Sequence, residues 1–70
     1  MSAMTKLKVC RNKVLLRMAE RCMNPYDLCN SASISYTSYR RIMKEGTCKI
    51  ATLGKIAHAL ECNVAEIVEN

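Results

Sequence analysis

Two sets of side chains in this 70-residue chain could do chemistry, and their spacing assigns them different work. The first is Cys10, Cys22, Cys29, Cys48 and Cys62 with His58, groups that can ligate zinc, pair as disulfides or act as nucleophiles. No two of these cysteines form a CxxC, their number is odd, and the histidine has no ligand-spaced partner. Reduced thiols used as small core residues account for them better. There is also no Gly-rich phosphate loop, no paired carboxylate constellation and no Ser-His-acid arrangement, so neither an enzyme nor a metal or cofactor is expected. The second set is the run ISYTSYRRI, residues 34–42, where hydroxyls, phenols and two guanidinium groups are framed by isoleucines. Its chemistry is hydrogen bonding and charge, which is the chemistry of recognition.

Charge narrows the partner. Eleven Lys and Arg against six Asp and Glu give +5, a balance that suits a polyanion. All eleven basic residues lie in residues 1–55 with only Glu20, Asp27 and Glu45, a surplus of eight, whereas residues 56–70 carry Glu61, Glu66 and Glu69 and nothing basic. Attraction to an anion must therefore come from the body of the chain and not from its tail. No apolar run approaches the ~20 residues of a membrane span and no signal-peptide core is present, so a cytoplasmic, non-membrane protein is expected. Seventy residues make one domain, and without Phe or Trp its core must be aliphatic, with Met, Ala and Cys.

Helices are the elements that can position the recognition residues. Apolar Cys10, Val14, Leu15, Met18, Ala19 and Cys22 recur at three and four, predicting an amphipathic helix from about Lys8 to Cys22; residues 1–7 lack a period, although Leu7 can fold back on the core. Asn24-Pro25, with Asp27 at the third helical position, starts a short helix to about Ser31 that buries Leu28 and Cys29. After a connection anchored by Ile34, Ser35 caps a third helix from Tyr36 to about Lys44, ended by Gly46. Tyr39, Ile42 and Met43 face inward there, leaving Tyr36, Thr37, Arg40, Arg41 and Lys44 outside or flanking the buried side. A fourth helix spans Ile50 to Leu60, with Gly54 a mild weakness, and an Asn63/Glu66 capping box opens a last helix from Val64 to about Glu69. The expectation is an all-α, compact five-helix domain.

Asn24 to Lys44 has the size and order of a helix-turn-helix, in which the second helix enters the major groove near its N-terminus. NPYDLCNSASISYTSYRRI together with TLGKIAHALECNVAEIVE resembles the phage Cro and repressor type, or Xre type, of helix-turn-helix protein over roughly Val9 to Val68. The resemblance implies a lambda-repressor-like DNA-binding fold, a single domain over 1–70 with its core in 9–68. It also implies base contacts from Tyr36, Thr37, Ser38 and Arg41, and phosphate contacts from Asn24, Ser35, Arg40, Lys44 and Lys49. Lys13 and Arg17 are weaker phosphate candidates. Pro25 stands where relatives often carry a polar contact residue, which shifts weight to the third helix. Many members also carry a charged pair where this chain has Met18 and Met43, and two methionines leave no charge unpaired in the interior.

The function implied is a sequence-specific regulator of transcription, a repressor before an activator, binding a palindromic operator in double-stranded DNA as a homodimer through residues near Cys62 to Val68. No small-molecule effector is indicated. The alternative is a helical protein-interaction module that keeps the helix-turn-helix scaffold without a specific DNA target.

Overall fold

A computed structural model describes residues 6–69. Four helices form around one core: α1 (Arg11–Glu20), α2 (Pro25–Ala32), α3 (Tyr36–Glu45) and α4 (Ile50–Ala59). Two strands, β1 (Lys6–Lys8) and β2 (Thr47–Lys49), pair as an antiparallel ribbon, and a 3₁₀ turn spans Val64–Glu66. The expected five-helix, all-α architecture is thus corrected in two places, and the cause is the same in both. Segments at the ends of the chain spend their backbone hydrogen bonds on each other and on the loop after α3.

Lys6-Leu7-Lys8 alternates exposed, half-buried, exposed, and Thr47-Cys48-Lys49 puts its one buried side chain, Cys48, opposite Leu7. Beyond the ribbon the Val9 N–H donates to the Gly46 carbonyl (2.8 Å) and the Cys10 N–H to the Ile67 carbonyl (2.8 Å). These bonds delay α1 until Arg11. The same exchange stops the last helix: Val68 bridges Val9, the Glu69 N–H donates to the Lys8 carbonyl (3.0 Å), and Ile67 leaves helical geometry at φ −125°. The start of that segment is as expected, with Glu66 Oε2 accepting from the Asn63 N–H at 3.2 Å.

Three helices end in one motif. After α1, α2 and α4 the residues Cys22, Ser33 and Glu61 take left-handed φ of 55–58°. In each case the next N–H reaches back five residues, from Met23 to Met18, Ile34 to Cys29 and Cys62 to Ala57. This is the Schellman arrangement, with an apolar residue just past the turn folded onto the last helical turn. Ser33 is the hinge of the helix-turn-helix, so that motif sets the angle between α2 and α3.

Leu28, Leu53, Ile67, Val9 and Cys48 are the largest side chains with no measurable exposure or nearly none, and α2 packs against both α3 and α4. Burying such aliphatic side chains contributes about 1.5–3 kcal/mol each. On α1 only Val14 and Met18 are buried; Leu15, Ala19 and Cys22, expected to face inward, are exposed. Apolar residues adjoin one another at 14–16 and 18–19, and the face that the core covers is the one containing 14 and 18. Met43 is half-buried against the core, while Met18 sulfur meets the Tyr39 hydroxyl at 4.0 Å. No helix among the described residues is long and apolar enough to cross a membrane.

Gly54 lies inside α4 with no heavy atom within 4 Å of where a Cβ would stand, and its φ is not left-handed. Gly54→Ala is therefore expected to stabilise the domain by about 0.5–1 kcal/mol, through a less flexible unfolded chain and better helix propensity. In a thermal melt this is a rise of about 2–8 °C.

Candidate nucleic-acid interface

Ser35 fixes the leading end of α3. Its Oγ accepts from the Ser38 N–H (3.1 Å) and donates to Ser38 Oγ (3.0 Å), so one orphan donor of the first turn is satisfied locally. With the helix started there, Tyr39 and Ile42 enter the core while Tyr36, Thr37, Arg40 and Arg41 remain exposed. Ser38 is half-buried and turned toward Ser35. The expected exposed trio of Tyr36, Thr37 and Arg41 thus shares the outward side of one helix.

The far end of α3 is held by a residue that sequence reading left aside. Arg11 Nη1 donates to the carbonyls of Met43 (3.0 Å) and Lys44 (3.4 Å), placing a cation where the helix dipole is negative. Gly46, at φ 75°, closes the helix beside that guanidinium and donates its N–H to the Ile42 carbonyl (2.8 Å). Arg11 therefore positions the recognition helix against α1 and leaves Arg40, Arg41 and Lys44 to solvent.

Aromatic stacking joins the two helices of the motif. Tyr26 at the start of α2 stacks on Tyr36 (ring centroids 4.8 Å, 18° between planes), and Tyr36 stacks in turn on Tyr39 at 6.0 Å. Exposure falls along this ladder from 61% to 39% to 8%. Tyr26 is absent from the expected contacts, although its place two residues after the Asn24 cap, roughly opposite Leu28, is the signal that could have found it. At the buried end the Tyr39 hydroxyl faces Met18, and burial, followed by the neighbouring Cys29 and Tyr36, raises its pKa.

Asn24 caps α2 reciprocally. Its Oδ1 accepts from the Asp27 N–H (2.8 Å) and Asp27 Oδ2 accepts from the Asn24 N–H (3.0 Å). Pro25 has no N–H, so the backbone donors of this first turn are mostly spent, and a phosphate approaching α2 would meet the Asn24 amide NH₂ and Tyr26. That narrows the anion-binding role expected of this helix end.

Charge is sorted between the two sides of the domain. Arg17 pairs with Glu20 (2.9 Å) and with Glu66, and Arg21 pairs with Glu61 (2.7 Å). The hydrogen bond to Glu20, then the Glu66 charge, raises the Arg17 pKa above its ordinary value. Glu66 and Glu61 thus neutralise Arg17 and Arg21, which leaves Arg17 less suited to a phosphate. Arg40, Arg41, Lys44 and Lys49 enter none of the ion pairs among the described residues. Between α3 and the ribbon lies an open hollow of about 310 Å³ lined by Lys6, Ser35, Ser38, Arg41, Glu45 and Lys49, among others.

Cys29 and Cys48 are the buried cysteines. Cys29 is buried under the turn with its thiol 3.8 Å from the Ser35 carbonyl, and burial raises the pKa of Cys29 and Cys48. Both stay thiols at neutral pH, the unreactive form. Among the described residues no group of three or more His, Cys, Asp and Glu is placed to hold a metal ion.

Residues 13–69, which contain α2, the Ser33 turn and α3, match the Cro/C1-type HTH DNA-binding domain. The chain belongs to that family. None of the curated proteins and none of the solved structures matches it. In this Cro/C1-type DNA-binding domain β1, Val9 and Arg11 lie ahead of the matched residues, and they close the ribbon and hold α3.

Proposed function

We propose that this Cro/C1-type domain reads duplex DNA sequence-specifically with α3 and acts as a repressor by occupying an operator. The observation that carries the reading is the common exposure of Tyr36, Thr37 and Arg41 on a helix that Ser35 caps locally, with its far end held by Arg11 and its aromatic flank by Tyr26. Arg41 can donate two hydrogen bonds to guanine O6 and N7, and the Thr37 methyl and Tyr36 ring can pack on thymine methyl groups. Ser38 follows at the edge of the read bases, while Asn24, Ser35, Arg40, Lys44 and Lys49 hold backbone phosphates and set register.

One α3 reads only a few base pairs, so a symmetric homodimer on a palindromic operator is the natural assembly. The segment Cys62 to Val68 was the expected contact, but Ile67 is fully buried, and Cys62, Val64 and Val68 pack against the monomer core. What that segment leaves outward is Asn63 and Ala65, and Ala65 shares a hollow with Leu16; Leu15 and Leu16 are 47% and 58% exposed. The dimer contact therefore combines Ala65 with the outer side of α1. The same exposed leucines favour the second reading, a protein-interaction module.

Selection of bound duplexes from a random pool by the purified protein decides between them. The expected product is a two-fold symmetric motif with half-sites about 10–10.5 base pairs apart, or a multiple of that spacing. A pool that stays random through successive rounds would remove the specific-reader assignment.

A further inference from the structure

The ribbon sets two lysines directly against each other. In its register Lys6 faces Lys49, Leu7 faces Cys48 and Lys8 faces Thr47. Opposed residues share a face, so Leu7 and Cys48 turn to the core while Lys6, Lys8 and Lys49 turn to solvent. Like charges in direct opposition destabilise a strand pair. Among the described residues neither Lys6 nor Lys49 has an acidic partner in an ion pair. Both lysines line the hollow whose opposite wall is Ser35, Ser38 and Arg41, and the single acid there, Glu45, stands against three cations. The fold thus maintains an uncompensated positive notch flush with the leading end of α3.

We propose that Lys6 and Lys49 take one phosphodiester of the DNA backbone in this notch, which makes β1 a DNA-contacting element. The inference rests on the reading of α3 as the DNA-binding helix, and extends it to a strand that precedes the family-matched residues. Two flexible ammonium groups suit a phosphate approached as a point charge, whereas Arg41 on the helix wall has the planar fork that suits a guanine edge. The duplex is favoured over a free phosphate because Ser35, Ser38 and Arg41 belong to the hollow and to α3 at once. A backbone phosphate seated there flanks the bases that α3 reads. Lys8, on the same ribbon face, extends the contact along the strand.

Lys6→Gln in the full chain removes the charge and keeps most of the length of an exposed side chain. Binding is measured by fluorescence anisotropy on the selected duplex and on a scrambled one, between about 50 and 200 mM salt. The expected result is roughly five- to tenfold weaker binding to both duplexes per half-site at about 0.1 M salt, with the log-log salt slope smaller by about one for each half-site. Lys6→Arg restores both, and a thermal melt shows each variant folded. Wild-type binding with unchanged affinity and slope in Lys6→Gln overturns the notch and leaves α3 recognition standing. Absence of wild-type duplex binding removes both proposals. Melting in inorganic phosphate without DNA separates the ligand sources: a phosphate-dependent rise that Lys6→Gln abolishes, beside unaltered duplex binding, assigns the notch to a free phosphate and overturns the backbone contact.

Discussion

Arg41→Ala is expected to leave the domain folded and to collapse its preference between the selected duplex and a scrambled one. Arg41 is exposed, enters none of the ion pairs among the described residues, and contributes nothing to the buried core, so the substitution has no structural route to instability. Its loss removes a bidentate contact worth about 1–3 kcal/mol of discrimination, roughly 5- to 150-fold for one half-site. In a symmetric dimer the energetic loss is taken twice, because well-separated sites contribute independently. Lys49→Ala supplies the contrast. It should weaken both duplexes together and flatten the salt dependence by about one contact per half-site, because a phosphate ligand neutralises charge without reading sequence. Competition binding with the two duplexes at fixed salt, followed by a salt series on each, measures both quantities. Identical behaviour of the two variants would sink the division between a reading helix and a charge-bearing ribbon.

That division was half legible in the sequence. Asn24-Pro25 with Asp27, Ser35 before Tyr36, and Gly46 after Glu45 are local signals, each acting within a few residues, and they set the starts of α2 and α3 and the end of α3. The ribbon is different in kind. Three residues express too little alternation to register as a strand, and β1 finds its partner about forty positions away, so nothing within either segment announces the pairing. The same long reach explains why Val64 to Glu69 was expected to be a helix: its cap is present, but Val68 and Glu69 are claimed by Val9 and Lys8. Side-chain roles followed the same rule. The outward residues of α3 could be read from helical spacing, whereas the Arg11 clasp on α3 and the Tyr26–Tyr36 stack depend on tertiary geometry. Leu15 and Ile50 show the converse, since apolar type and helical register alone do not say which side of a helix the rest of the domain will cover.

The heaviest effect on stability should come from Ile67→Ala, at the point where the two ends of the chain meet. Ile67 has no solvent exposure, and its carbonyl accepts from the Cys10 N–H, so the side chain fills the core at the residue that also ties the tail to the start of α1. Truncating a buried isoleucine to alanine costs about 2–5 kcal/mol, from lost transfer energy and from the cavity left behind. Set against about 4–10 kcal/mol for a domain of this size, that removes a large share of the whole. Melting should fall by at least about 10 °C, with the midpoint in urea lowered and the denaturant slope unchanged if folding stays two-state. Ile50→Ala is the matched control: the same atoms are deleted from a residue 52% exposed, and the expected change is within about 0.5 kcal/mol. Duplex binding then separates the mechanisms. Ile67→Ala should lose affinity only in proportion to its unfolded fraction and recover it on cooling, because the ligand selects the folded state, whereas Arg41→Ala stays folded and loses discrimination at every temperature. If Ile67→Ala melted like Ile50→Ala, the tail would not be part of the core that supports α3, and the tie between Val9, Cys10 and the C-terminal segment would not contribute to the fold.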